Sequence, residues 1–255
     1  MRVALVTGAA GGIGRAIAQH LFDAGFHVAL ADLVQVPPLE GDPAGESGRW
    51  MALHLDLADI ASHAAMLDRI EKAWGTVDCL VNNAGVTSLV RGDMLDLTAE
   101  SFDRSISINL RGTFFLTQAV SKRMVASHKR LAEPVTRWRS VITISSSNAE
   151  IVGDNRADYC MSKASLAMMN KLFASRLGEY GIGVYEIRPG IIHTDMTRPA
   201  AEKYDRLVAQ GGVPMGRWGE PEDVASAVLS LAQGALNYAT GIALDIAGGL
   251  QLYRI

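Results

Sequence analysis

Tyr159 and Lys163 lie four residues apart in a stretch with helical periodicity, which puts both side chains on one helix face, one turn apart. A tyrosine hydroxyl ordinarily titrates at about 10, and a neighbouring ammonium favours the phenolate and draws that value down. A phenol poised in this way can give a proton to a developing alkoxide or take one from an alcohol. The chemistry suggested is acid/base catalysis at a carbonyl or alcohol oxygen. Taken alone, such a pair is common and mostly structural.

Three strand ends carry groups that fit the same reaction. Thr143-Ile144-Ser145-Ser146-Ser147 closes one strand-like run, where a hydroxyl can hydrogen-bond a substrate oxygen as charge develops on it. Asn82-Asn83-Ala84-Gly85 closes another. The turn Thr7-Gly8-Ala9-Ala10-Gly11-Gly12-Ile13-Gly14 stands between a first strand and a first helix. Glycines there let the backbone approach a pyrophosphate, and the helix start offers it free N–H groups and partial positive charge. The spacing departs from GxGxxG, but strand, turn and helix are the context a dinucleotide needs. Asp32 ends the next strand, where a carboxylate accepts hydrogen bonds from the adenosine ribose and repels a 2′-phosphate. No basic residue stands at Ala10, Gly11 or Leu33. The expected cofactor is NAD, with NADP the alternative; a solvated strand-end carboxylate is the plainer reading of Asp32.

Positioning these groups needs strands and helices in alternation. Strands are expected at Arg2–Thr7, Phe26–Ala31, Trp50–Leu55, Val77–Asn82, Val141–Ser145, Gly183–Arg188 and Ala243–Ile246. Helices are expected at Gly12–Ala24, closed by Gly25, at Ile60–Trp74, at Thr98–Ser127 behind an N-cap Thr98, at Asp158–Tyr180 and at Pro221–Ala232. Leu33–Arg49, rich in Pro and Gly, reads as loop where a helix would be usual. His128–Arg139 is a basic connector, read as solvated loop. The alternation predicts a single α/β domain over residues 1–255, a three-layer, doubly wound parallel sheet.

With these motifs in order, the chain resembles the short-chain dehydrogenase/reductase family from about residue 2 to its end. TGAAGGIG matches the family's TGxxxGxG, Asn82–Gly85 its NNAG, Tyr159–Lys163 (YCMSK) its YxxSK, and RPGIIHTDM (Arg188–Met196) its PG motif. The resemblance implies an oxidoreductase moving a hydride between a nicotinamide and a carbonyl or alcohol carbon. It implies Tyr159 as acid/base, Ser146 (13 residues earlier) as the catalytic serine ahead of Ser145 and Ser147, and Asn109 as holder of a water relaying protons to Lys163. Cofactor contacts are implied for Gly8, Gly12, Ile13, Gly14 and Asp32 at the adenosine end, with Asp56 and Leu57 against adenine. Asn83, Ala84 and Gly85 follow along the cleft, and Pro189, Gly190, Ile192 and Thr194 lie near the carboxamide. Lys163, beside Tyr159, is implied for the nicotinamide ribose.

Substrate contacts are assigned to Ser146, Asn148 and Arg156, the last read either as a bidentate carboxylate or phosphate clamp or as a solvated loop arginine. His193 is the rival base. Met161, Met168 and Met169 are read as core. The overall look is similar to 3-oxoacyl-(acyl carrier protein) reductases; Arg137 matches one of the two basic residues those present to the carrier protein, and Tyr180 stands where the other would be. A sugar, polyol or other secondary-alcohol dehydrogenase is the alternative, and an idle NAD-binding regulator the reading from another class.

Apolar residues make up 49% of the chain, enough for a sizeable core. A net charge of −3 gives no pull toward nucleic acid or anionic membrane, and no leader, membrane span or metal site is expected. Cys79 and Cys160 fit a reducing, cytoplasmic setting, with Cys79 a buried inert thiol. The two long helices carry apolar residues on more than one face, among them Phe114, Leu116, Met168, Phe173 and Leu177. With the family resemblance, this implies a homotetramer.

Overall fold

The structure, a computed structural model, describes residues 1–129 and 137–252. Seven parallel strands form one sheet in the order β3-β2-β1-β4-β5-β6-β7. They are β1 (Val3–Thr7), β2 (His27–Asp32), β3 (Trp50–His54), β4 (Cys79–Asn82), β5 (Arg139–Ile144), β6 (Ile182–Pro189) and β7 (Ala243–Ile246). Both faces are covered, so the inner strands read as continuous apolar runs. Alternate residues of β1 divide between two cores. Ala4 and Val6 pack with α1 (Gly12–Asp23) and α7 (Pro221–Ala232) through Ile17, Leu21, Val224 and Val228. Val3 and Leu5 pack with α2 (Ser62–Trp74) and α4 (Thr113–Lys129) through Leu67, Ile70, Leu116 and Val120, and α5 (Ala157–Leu177) adds Ala174 and Leu177.

The chain runs one way from β1 to β3 and the other way from β4 to β7, so the strand order reverses between β1 and β4. Open α/β sheets bind ligands in the crevice outside the carboxyl ends at such a point. The stretch 33–49 is loop, as its composition indicates; Val36 and Leu39 anchor it in the core beside α1.

Three expectations need correcting. The helix expected over Thr98–Ser127 is three pieces: α3 (Ala99–Ser105), a π-helical segment (Ile106–Gly112) and α4. Thr98 does cap it, its hydroxyl accepting from Ser101 N at 3.3 Å. A second correction concerns the basic connector. His128 and Lys129 end α4, and Arg139 opens β5 and is buried against Asp78; residues 130–136 lie outside those described. Finally, α6 (Ala201–Ala209), which follows a short 3₁₀ turn at Arg198–Ala200, was not anticipated. It packs Tyr204 on Trp218 in a small third core.

Candidate active site

A cleft of about 520 Å³ opens at the carboxyl edge where the strand order reverses. Every residue expected to touch the cofactor lines it, while Asn109, expected in the proton relay, is buried and is not part of the lining. The glycine turn is shaped by sterics. Gly8 and Gly12 have φ of +67° and +53°, a region that costs other residues strain. A Cβ on Gly14 would lie 2.0 Å from Gly8 O and 2.4 Å from Asn83 Nδ2. Asn83 donates to Thr7 O and Gly8 O at 3.0 and 3.1 Å, so β4 holds the turn in place. Gly11 caps α1 without a side-chain bond, which leaves the helix start open to the cleft. Asp32 sits at the far end, its oxygens accepting from Ala10 N (2.9 Å) and Val34 N (3.2 Å). An uncapped helix start, bare backbone and a carboxylate beyond it fit the phosphates and ribose of a dinucleotide.

Ser146, Tyr159 and Lys163 meet at the other end of the cleft. Burial pushes the Tyr159 hydroxyl above its ordinary range, against the Ser146 hydroxyl bonded to it and the charge of Arg156. This corrects the expectation that Lys163 depresses it. The ammonium lies 5.7 Å from the ring centroid and donates to Ile144 O at 3.1 Å. Burial draws Lys163 itself down to about 8, against the attraction of Glu186. Glu186 also accepts from Ser145 Oγ at 2.5 Å, so of the serine run it is Ser146 that stays with Tyr159. Asn109 falls in the π-helical segment. Its side chain brackets Val86, accepting from the amide (2.8 Å) and donating to the carbonyl (2.9 Å). A Cβ on Gly85 would stand 3.1 Å from Asn109 Oδ1 and 3.3 Å from Lys163 Nζ, so that glycine lets the two approach.

Asp158 escaped the sequence reading. It is wholly buried, and its carboxylate accepts hydrogen bonds from Ser88, Ser101 and Ser105, the last two at 2.8 Å. It thereby ties the loop after β4 and helix α3 to the residue preceding Tyr159. Burial alone would raise its pKa; the three hydroxyls and the Tyr159 amide outweigh that and hold it below the carboxylate range. The only signal in the sequence was an acid in the first turn of a helix, which is too ordinary to single out. Asp158→Ala is expected to lower stability by about 2–4 kcal/mol, since three buried hydroxyls lose a charged acceptor. Because the folded-state pKa is depressed, this stabilisation is present above the unfolded value of about 3.9 and is lost as pH falls through the folded one. Urea unfolding should show the gap to wild type at pH 7 and its shrinkage below pH 4; equal stability at pH 7 would refute the clamp.

The remaining candidates scatter. Asn148 donates to Ile151 O at 2.9 Å, and its amide binds Ser146 Oγ at 3.1 Å, so it buttresses the serine. Arg156 stands outside the cleft lining, its Cζ 5.7 Å from the Tyr159 ring centroid. His193 is outside too, stacked on Trp218 at 4.4 Å and bonded to Glu220 at 2.7 Å. Arg137 pairs with Asp78 at the amino edge of the sheet, and Tyr180 lies under His128 and Arg176. The core reading of the methionines holds for Met169 only; Met161 and Met168 are exposed on the outer face of α5. Cys79 is buried, its thiol pushed up to about 12, and is inert.

Comparison with known proteins finds relatives along nearly the whole chain. The profile of the family described as enoyl-(acyl carrier protein) reductase matches residues 8–251. A Brucella melitensis structure of 3-oxoacyl-[acyl-carrier protein] reductase in complex with NAD is 43% identical, with a TM-score of 0.90 over 100% of this chain and 98% of that one. A (3R)-3-hydroxyacyl-CoA dehydrogenase of Rattus norvegicus is 34% identical over 97% of this chain and 95% of its own. The D-threitol dehydrogenase of Mycolicibacterium smegmatis is 33% identical over 97% and 92%.

Proposed function

The chain belongs to the short-chain dehydrogenase/reductase family and is an NAD(P)-dependent oxidoreductase, and from that premise we propose that it interconverts a small secondary alcohol and its ketone, with NAD the preferred cofactor. The observation that carries this is the meeting of Ser146, Tyr159 and Lys163 at one end of a cleft whose other end presents Asp32. When bound, the nicotinamide supplies or accepts the hydride. The chain supplies the rest. Ser146 donates a hydrogen bond to the reacting oxygen, and Tyr159 gives or takes its proton. Lys163 would hold the nicotinamide ribose and return protons to the tyrosine, with Asn109 the residue assigned to a relaying water. The test is a panel of ketones, acyl thioesters and sugar alcohols assayed with each cofactor at 340 nm. No hydride transfer with any member would overturn the reading.

Cofactor choice rests on Asp32. Calorimetry should give tighter binding of NADH than NADPH, and Asp32→Ala should narrow the gap by removing both the repulsion and the ribose bonds. Equal or better affinity of the wild type for NADPH would refute this.

A carrier-protein substrate has less support. Arg137, matched to a basic residue of carrier-protein reductases, is engaged by Asp78 at the edge of the sheet opposite the cleft. We therefore favour a free small molecule; equal or better kcat/KM with an acyl carrier protein thioester than with its free thioester counterpart would reverse that choice.

A homotetramer is part of the same proposal. Met161, Met168 and Leu172 form an exposed stripe on α5, next to an apolar groove of about 580 Å³ between α4 and α5, lined by Phe114, Val125 and Phe173. Light scattering at micromolar concentration should give a tetramer, and Leu172→Glu should split it. A monomeric wild type would contradict the assignment. Among the described residues no helix is long and apolar enough to cross a membrane, and both cysteines are free, which is consistent with the cytoplasmic setting we assign.

A further inference from the structure

Arg156 breaks two local rules. It is the N-cap residue of the 21-residue helix α5, where Ser, Thr, Asp or Asn is favoured, and it makes no capping bond. It also sets a cation at the positive end of the helix dipole. Such violations are expected where function needs them.

The surroundings do not neutralise its charge. Three acids lie within six residues of it in sequence, and none pairs with it: Glu150 is bonded to Arg188, Asp154 is exposed, and Asp158 is turned onto its three serines. Among the described residues no carboxylate comes within 4.0 Å of the guanidinium. Among the described residues the one hydrogen bond of its side chain runs from Nη2 to the Tyr204 hydroxyl at 3.3 Å, and Nε is buried without a partner. The side chain is nevertheless held in place. The Arg156 amide donates to Gly153 O at 3.0 Å, and a Cβ on Gly153 would stand 3.0 Å from Nε, so the loop presses on the arginine. Tyr204 in turn packs edge-on against Trp218 at 5.5 Å. A half-buried, fixed and unneutralised guanidinium thus stands 5.7 Å from the ring of the proton-transferring tyrosine.

Resting on the oxidoreductase reading above, we infer that Arg156 binds a carboxylate of the substrate, so that the reaction is the interconversion of a hydroxy acid and its oxo acid. A planar fork of N–H donors matches a carboxylate and discriminates against the uncharged ester or thioester of the same acid. In the oxidising direction the carbinol carbon gives its hydride, with both electrons, to NAD, and the hydroxyl proton goes to Tyr159. The carboxylate is unchanged and serves to orient the reacting carbon.

The test is calorimetric titration of the NAD⁺-saturated enzyme with 2-oxobutanoate, 3-oxobutanoate and 4-oxopentanoate, with the methyl ester of each, and with inorganic phosphate. Acid and cofactor are both oxidised, so nothing turns over. At least one acid should bind tenfold or more tightly than its ester. Arg156→Met should erase that preference, Arg156→Lys should keep part of it, and NAD⁺ and ester affinities should stay within threefold of wild type. Acids and esters of equal affinity, no measurable acid binding, or a preference that survives in Arg156→Met would each overturn the inference. So would phosphate binding more tightly than every acid. The underlying reading is scored separately, by NADH oxidation with the neutral esters and simple ketones. Hydride transfer there with no acid preference would sink the arginine's role and leave the oxidoreductase standing.

Discussion

Tyr159→Phe is expected to lower turnover by about 10²–10⁴-fold, the loss typical of a removed general acid/base, while leaving the fold and NAD affinity nearly unchanged. The ring is buried and would keep its packing. What goes is the hydroxyl bonded to Ser146, the group proposed above to place a proton on the carbonyl oxygen as hydride arrives at carbon. Burial holds that hydroxyl above the ordinary tyrosine range, so in the ligand-free protein it carries its proton at neutral pH. Reduction, which needs the proton, should then be insensitive to pH near 7, whereas oxidation, which needs an acceptor, should speed up as pH rises. Ser146→Ala should lower the rate with little change in NAD affinity, because the serine is the group proposed to hydrogen-bond the reacting oxygen. If Tyr159→Phe turned over a confirmed substrate at the wild-type rate, the mechanism would be wrong, and His193 would be tested next despite its place against Trp218 and Glu220.

The parts of this site that were legible in the sequence are those written by backbone geometry. Gly8, Gly12 and Gly14 are needed because the turn demands positive φ or passes within 2.0 Å of a carbonyl, and such demands leave a residue-type signature. The spacing of Tyr159 and Lys163 is equally direct, since a helix face is fixed by the 3.6-residue period. What the sequence concealed depends on three-dimensional surroundings. The π-helical segment that carries Asn109 has the same composition as an ordinary helix; what sets it apart is its tie to Val86 and Ser162. Asp158 looks like a first-turn acid until Ser88, Ser101 and Ser105 are brought around it from elements 53 to 70 residues away. The effect of Lys163 on Tyr159 was misjudged because four-residue spacing says nothing about how dry the pair is. Met161 and Met168 were misplaced for a related reason: apolar residues on more than one face of a helix signal burial, but not whether the burying surface belongs to the same chain.

Lys163→Met should cut activity by about 10²–10⁴-fold and yet make the ligand-free protein more stable at pH 7. Lys163 is 5% exposed, and burial draws its pKa from 10.5 down to about 8. A buried lysine depressed to that extent costs the folded state about 3 kcal/mol when it is charged. Methionine has a similar shape and no charge to desolvate. It forfeits the hydrogen bond to Ile144 O at 3.1 Å, which from a charged donor is worth about 1.5–3 kcal/mol. A gain of up to about 1.5 kcal/mol remains, visible as a rise of a few degrees in Tm. The sign follows from proton counting. Between pH 8 and about 10.4 the unfolded chain holds a proton that the folded chain has released, so wild-type stability climbs with pH across that window. The advantage of the variant should therefore be full below pH 8 and vanish near pH 10. Over the same range it should lose about 10²–10⁴-fold in rate and bind NAD more weakly, because the ammonium is the group assigned both to the ribose and to proton return. A variant less stable than wild type at pH 7 would show that the lysine holds the cleft together, and the trade of stability for catalysis argued here would fail.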